Sequence, residues 1–311
     1  MGKATRDAYG EALRELGSRY KDIVVLDADL SKSTKTNVFA KDFPNRHFNV
    51  GIAEQNMMGV AAGLAAAGKI PFASTFAMFA TGRAYEQVRN SICYPRLNVK
   101  IAATHAGITV GEDGATHQAN EDISLMRGLP NITVVVPADA TETQQAIRWA
   151  IEYNGPVYLR LGRASVDDVF GSDYVFKHGK AVQLAQGTDL TIIATGIMVG
   201  PARQAAAKLA EEGISARVLN IHTIKPIDKD AVMKAALETG AVITCEEHSI
   251  IGGLGSAVAE VIVEHAPVPM ERIGILDRFT ESGTPADLLT KYNLTAADIV
   301  QAAQRVVARK K

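Results

Sequence analysis

The sequence predicts an α/β protein made of two consecutive three-layer α/β/α domains with mostly parallel sheets. Three observations carry that expectation. Short apolar, β-branched runs alternate with helical patterns along nearly the whole chain, as in parallel sheets covered on both faces. The length, 311 residues, suits two domains rather than one. The alternation weakens once, over 167–187, where Asp, Gly and Lys punctuate the chain. That stretch is expected to link a first domain, 1–166, to a second, 188–311.

The elements follow in order. A helical pattern covers 5–20, and a strand at 23–26 ends in Asp27-Ala28-Asp29. An apolar strand at 48–51 then meets an Ala/Gly-rich helix running toward Ala67. Further strands are expected at 70–76, 99–104, 133–136 and 157–161, with helices at 82–92 and 141–153. The second domain shows strands at 190–194, 216–221, 242–245 and 270–276, and a helix at 200–212. Its last helix starts at Thr295, with Asp298 three positions on in a capping-box pattern.

Composition narrows the function classes. Hydrophobic residues make up 47% and charged residues 22%, a globular balance that argues against disorder. A net charge of -1 gives no basic field for nucleic acid. The longest apolar stretch, 57–68, is too short to cross a bilayer, and the N-terminus has no signal-peptide core. Two cysteines, Cys93 and Cys245, both in apolar contexts, fit a reducing cytoplasm better than a disulfide framework.

Glu54 is the most informative residue. It is a lone carboxylate where a strand meets a helix, with few polar neighbours in sequence. Burial destabilises an ionised carboxyl, so such a group can hold or share a proton with a bound heterocycle. Taken alone, a first-turn acid favoured by the helix dipole is the commoner explanation. Phe76 and Phe79 follow a strand and would lie at its C-terminal end, where α/β sheets bind ligands; they suit a flat ring, or a core. The stretch 104–118 is a long Gly-rich loop with His105, Asp113 and His117, suited to a polyhydroxylated substrate and to proton transfer. Its spacing matches none of the usual zinc patterns, and a merely solvated loop is the alternative.

Arg160 and Arg163 end a strand, where arginine clamps phosphate or forms a structural ion pair. Gly252-Gly-Leu-Gly-Ser lacks the third glycine of a dinucleotide loop and reads as a tight strand-to-helix turn. Glu247 and His248 before it read as interface or surface groups, and His222 as structural.

Jointly, Gly-Ile-Ala-Glu-Gln, Ser-Thr-Phe-Ala-Met-Phe and Gly-Glu-Asp-Gly-Ala-Thr-His-Gln, in this order and spacing, resemble the C-terminal half of transketolase, from Thr5 to the region of Pro285. The resemblance implies a thiamine diphosphate-binding fold, with a pyrimidine-binding domain followed by a smaller C-terminal domain. By it, Glu54 contacts N1′ of the cofactor's aminopyrimidine, favouring the 4′-imino tautomer that deprotonates the thiazolium. Phe76 and Phe79 would pack against the pyrimidine. His117 would hydrogen-bond substrate hydroxyls, Asp113 would read a neighbouring hydroxyl's stereochemistry, and His105 would help hold the sugar. Arg6, Ser33 and Arg163 match positions that bind the sugar phosphate.

Two departures stand out. Thr81-Gly82 replaces an aromatic found in many relatives, and the Gly-Asp-Gly…Asn motif that grips diphosphate and metal is absent. The resemblance therefore implies one subunit of a split transketolase, converting sugar phosphates of the pentose phosphate pathway. An N-terminal partner subunit would bind the diphosphate and Mg²⁺ or Ca²⁺, in an α2β2 assembly around a homodimer of this chain. A 1-deoxyxylulose-5-phosphate synthase and a 2-oxoacid dehydrogenase β subunit share the fold; His105 with Glu112 favours transketolase over the first, and the loop motif over the second. A degenerate scaffolding or regulatory homologue would be expected to lack the acid or the loop histidines, and all are present.

Overall fold

The run Ile23-Val-Val-Leu-Asp is β-branched, apolar and buried at every position, and it forms the strand around which the first unit is laid. In the computed structural model, which describes residues 2–310, this strand is β1 (Ile23–Asp27). It pairs in parallel with β2 (His47–Asn49) on one side and β3 (Ile70–Phe76) on the other. Outward from β3 lie β4 (Lys100–Thr104), β6 (Val157–Arg160) and β5 (Thr133–Val135), all parallel. The second sheet has the order β12 (Met270–Ile275), β11 (Val242–Ser249), β8 (Leu190–Ala194), β9 (Ala216–Asn220) and β7 (Val182–Ala185). Both sheets are mostly parallel with helices between their strands, as expected.

Four features depart from the sequence expectations. First, β7 falls inside the stretch 167–187 expected as linker, and it pairs antiparallel with β9. Its side chains are only half-buried, so it lacks the apolar run that marks the inner strands. Second, β10 (Thr223–Lys225) comes from the second unit but joins the first sheet, antiparallel to β5. It covers the sheet edge, and Lys225 Nζ donates to the carbonyls of Arg127 and Leu129.

Third, the helix expected over 82–92 is two π-helical segments, Phe79–Arg83 and Val88–Cys93, around a short α turn, Tyr85–Gln87. The wide turns close through Ala84 N–H to Phe79 O and Tyr94 N–H to Arg89 O. Fourth, the strand expected over 242–245 runs on to Ser249, and buries Glu246, Glu247 and His248. Glu247 and His248 are interface groups between the units and not surface groups. The glycine turn that follows is structural: Glu246 accepts the N–H groups of Leu254 and Gly255, the first donors of the Leu254–His265 helix.

The two units share their interior. One apolar cluster runs from Leu26, Met57 and Tyr158 of the first into Ile193, Leu219, Ile221 and Val258 of the second. At this seam the Glu142 carboxyl accepts the Ala138 N–H at 2.7 Å, the Tyr174 hydroxyl at 2.6 Å and the Asn220 side-chain amide at 2.8 Å. The last helix, Ala296–Val307, begins with the expected Thr295–Asp298 capping box. Among the described residues no helix is long and apolar enough to cross a membrane.

Burial pushes the Glu142 carboxyl up from 4.5 to about 7. The folded chain then holds a proton that the unfolded chain has lost, so stability falls as pH rises between these values, by on the order of 3 kcal/mol. Urea unfolding at pH 5 and pH 8 should show this fall in the wild type. Glu142→Gln should remove most of it, and an unchanged pH dependence in the variant would refute the assignment.

Candidate active site

The candidate residues come together because parallel strands point their C-terminal ends the same way. Phe76 ends β3 and Phe79 opens the turn after it; His105 follows β4, and Arg163 lies three residues past β6. Ser33 sits in the connection after β1, and Glu54 begins the Glu54–Ala66 helix after β2. Arg6 reaches the same rim from the first turn of the Thr5–Arg19 helix.

Four rings form one cluster. Phe76 and Phe79 are nearly parallel, 12° apart with centroids at 5.7 Å. His105 stacks on Phe76 at 3.8 Å, and the His117 edge faces Phe79 at 5.4 Å. The Phe76–Phe79 and Phe79–His117 separations are those of attractive aromatic pairs, and the two parallel phenyl rings form an apolar wall.

Glu54 is 1% exposed, yet it has a partner that the sequence reading missed. Arg83 Nη1 donates to Glu54 Oε2 at 2.9 Å, while the Arg83 guanidinium lies 4.6 Å from the Phe79 ring centroid. The isolated carboxylate expected from sequence is thus an ion pair. The π-helical turn Phe79–Arg83 sets this geometry, since its extra residue brings Arg83 round to Glu54. A buried carboxylate calls for a counter-ion, but sequence alone could not choose among the nearby arginines. Among the described residues, Glu54 Oε1 accepts no hydrogen bond, so one carboxyl oxygen remains available to a ligand.

The opposite side of the rim is cationic. Arg6 Nη1 donates to the Ser33 carbonyl at 3.1 Å and sits 3.0 Å from His105 Nε2. Ser33 therefore contributes its backbone to holding Arg6. Arg163 Nη1 donates to the Val110 carbonyl and lies 3.4 Å from Glu112 and 3.7 Å from Asp113. Asp113 and Arg163 are consequently coupled across the loop. Burial, followed by the charges of Arg6 and Arg163, pushes the His105 imidazole down to about 3. Arg6 can only donate, so neutral His105 accepts at Nε2 and carries its proton on Nδ1, toward the Thr104 hydroxyl at 2.8 Å. His117 Nδ1 lies 2.9 Å from the Thr116 hydroxyl.

Arg160 does not join this group. It forms a buried pair with Asp122 at 2.7 Å, so of the two strand-end arginines only Arg163 faces the site. Among the described residues no three His, Cys, Asp or Glu side chains converge to hold a metal ion.

Residues 1–168 match the family model described as transketolase, pyrimidine binding domain, and residues 179–299 match transketolase, C-terminal domain. The chain belongs to the transketolase family. Within it, a Methanocaldococcus jannaschii protein named for the C-terminal section of a transketolase is 53% identical over 96% of this chain and 95% of its own. A 6-deoxy-6-sulfo-D-fructose transketolase subunit of a Clostridium species is 47% identical over 98% and 95%. A solved split-gene transketolase, described as an inactive β4 tetramer, superposes with a TM-score of 0.94 at 59% identity and covers all of both chains. The transketolase of Leishmania mexicana superposes at 0.84 with 27% identity, and 46% of that chain is covered. This chain thus corresponds to about half of the longer family member, as its relative's C-terminal-section name indicates.

For His105 the electrostatics make a direct prediction. Its folded value lies below its ordinary 6.5, so the ring stays neutral through the range in which a free histidine titrates. Imidazole NMR should show the Nδ1–H tautomer with no titration between about pH 5 and 8. A midpoint inside that window would contradict the Arg6–His105 geometry.

Proposed function

We propose that this chain is the C-terminal subunit of a split, thiamine diphosphate-dependent transketolase, which transfers a two-carbon ketol unit from a ketose phosphate to an aldose phosphate. The observation that carries the reading is the buried Glu54 carboxyl, with one oxygen available, beside the parallel Phe76–Phe79 pair. A hydrogen-bonding acid next to an apolar wall fits the aminopyrimidine of thiamine. When bound, the cofactor supplies the electron sink that lets a carbon–carbon bond break and re-form.

This chain's residues have distinct tasks in that scheme. Glu54 holds or moves a proton at N1′ of the pyrimidine, and Arg83 fixes the carboxyl's orientation. Phe76 and Phe79 align the ring and exclude water. Arg6 and Arg163 bind the anionic end of the sugar, for which guanidinium groups offer paired donors. His105, fixed as a neutral ring, orients substrate hydroxyls; His117, at the edge of the same wall, moves protons beside the bond that changes. Asp113, held near Arg163, discriminates hydroxyl stereochemistry.

The absence of a Gly-Asp-Gly motif and the correspondence to half of a single-chain transketolase support a separate N-terminal partner. That partner grips the diphosphate and Mg²⁺ or Ca²⁺, in an α2β2 assembly. The inactive β4 description of a 59% identical relative agrees with a chain that needs one. The Clostridium relative's name favours a second reading of the substrate, a sulfonated sugar, because Arg6 and Arg163 suit a sulfonate as well as a phosphate.

Reconstitution tests the proposal. The chain, an N-terminal transketolase subunit, thiamine diphosphate and Mg²⁺ should together convert xylulose 5-phosphate plus ribose 5-phosphate, or sulfonated ketoses in their place. Each chain alone should be inactive. Glu54→Ala should lower turnover by on the order of 10²–10⁴-fold, the usual worth of a positioned proton-transfer group. Near-normal turnover would refute the role of Glu54. Turnover only of pyruvate with glyceraldehyde 3-phosphate would reassign the chain to the synthase that makes 1-deoxyxylulose 5-phosphate.

A further inference from the structure

The loop that carries His105, Asp113 and His117 is held from outside its own unit. The C-terminal end of β11 enters the first unit beside the start of this loop. Glu247 Oε1 accepts the Thr109 amide N–H at 2.6 Å in a buried setting. The same carboxyl lies flat against Gly107, where an added Cβ would stand 2.3 Å from its carbon. Gly107 also has φ +76°, a conformation that side chains resist. Glycine thus both makes the turn and lets the carboxyl approach it.

Glu247 is itself fixed. Its carbonyl accepts Arg160 Nη2 at 2.9 Å, and Arg160 Nε donates to Asp122 Oδ2 at 2.7 Å. The far end of the loop is held in a parallel way. Gln118 donates to the Glu281 carbonyl at 3.0 Å and accepts the Thr280 hydroxyl, while Ser249 N–H donates to the Asn120 carbonyl at 2.7 Å. Both ends of the loop therefore depend on residues of the C-terminal unit, none of which lies in the ring cluster.

We propose that Glu247 is a positioning residue: its carboxyl splints the Gly107–Thr109 turn and so sets where His105, Asp113 and His117 meet the sugar. Losing the acceptor would leave the Thr109 N–H buried without a partner, and the turn would open to find water. Glu54, Phe76 and Phe79 stand on other elements, at the start of a helix, the end of β3 and the turn after it. Substrate binding should therefore suffer while cofactor binding does not. The activity arm rests on the transketolase reading above; the exchange arm does not.

The exchange arm uses the isolated chain. In the wild type, hydrogen exchange in peptides spanning 106–112 should be as slow as in the β8 and β9 strands. Fast exchange there would overturn the proposal without any variant. Glu247→Ala should speed exchange over 106–118 at least tenfold and leave β8 and β9 unchanged, whereas Glu247→Gln, which keeps an acceptor, should stay within threefold of wild type.

In the reconstituted pair, Glu247→Ala should raise KM for both sugar phosphates at least tenfold, with the apparent Kd for thiamine diphosphate within twofold of wild type. Glu247→Gln should restore KM. Unchanged loop exchange and unchanged sugar KM in the Ala variant would overturn the proposal, as would equal losses in sugar and cofactor affinity. A wild-type pair without turnover would count against the transketolase reading alone, and the exchange arm would still decide the splint.

Discussion

The buried ion pair between Asp122 and Arg160 is the constraint on which the arrangement of both units depends. Arg160 ends β6, and Asp122 opens the Asp122–Arg127 helix; both are almost wholly out of water. Burial pushes the Asp122 carboxyl up, but the Arg160 charge and hydrogen bond outweigh it and hold the group below its ordinary value. Such a pair adds little net stability, since desolvation offsets much of the attraction, while removing one partner is costly. Its consequence here is registration. Arg160 Nη2 also donates to the Ala119 and Glu247 carbonyls, tying a strand end, a loop end and the second unit at one point.

The candidate site is built from two electrostatic environments on one rim. On one side Arg83 neutralises Glu54 beside an apolar wall. On the other, burial keeps His105 uncharged, and the charges of Arg6 and Arg163 gathered near it act in the same direction. The aromatic cluster separates them, with His117 at its edge. The rim thus offers an acid beside an apolar wall and, apart from it, a cationic region.

Much of this was legible in the chain. The inner strands are continuous apolar runs, so β1, β3, β4, β6 and β8 announce themselves. The residues expected at the site are gathered at one set of strand ends, because the strands that carry most of them are parallel. Other features left no pattern. β7 and β10 are short edge strands with mixed polarity, and their sheet membership depends on partners distant in sequence. Glu246, Glu247 and His248 look like surface residues in one dimension, since only tertiary packing supplies the donors that permit their burial. Arg160 and Arg163 stand three residues apart, and their opposite fates follow from their partners: Arg160 ends β6 buried against Asp122, whereas Arg163 lies past the strand beside Glu112.

The sequence by itself determined the fold class, the order of the elements and the residue types at the strand ends, because apolar periodicity and glycine placement act locally. Only the tertiary structure decided which charges pair. It set Arg83 against Glu54 from a π-helical turn, kept His105 neutral by burying it and bringing Arg6 across from the first helix, and laid Glu247 under the candidate-site loop. Those outcomes depend on distances between residues far apart in the chain, and a buried charge takes its chemistry from whatever the fold places within hydrogen-bonding reach.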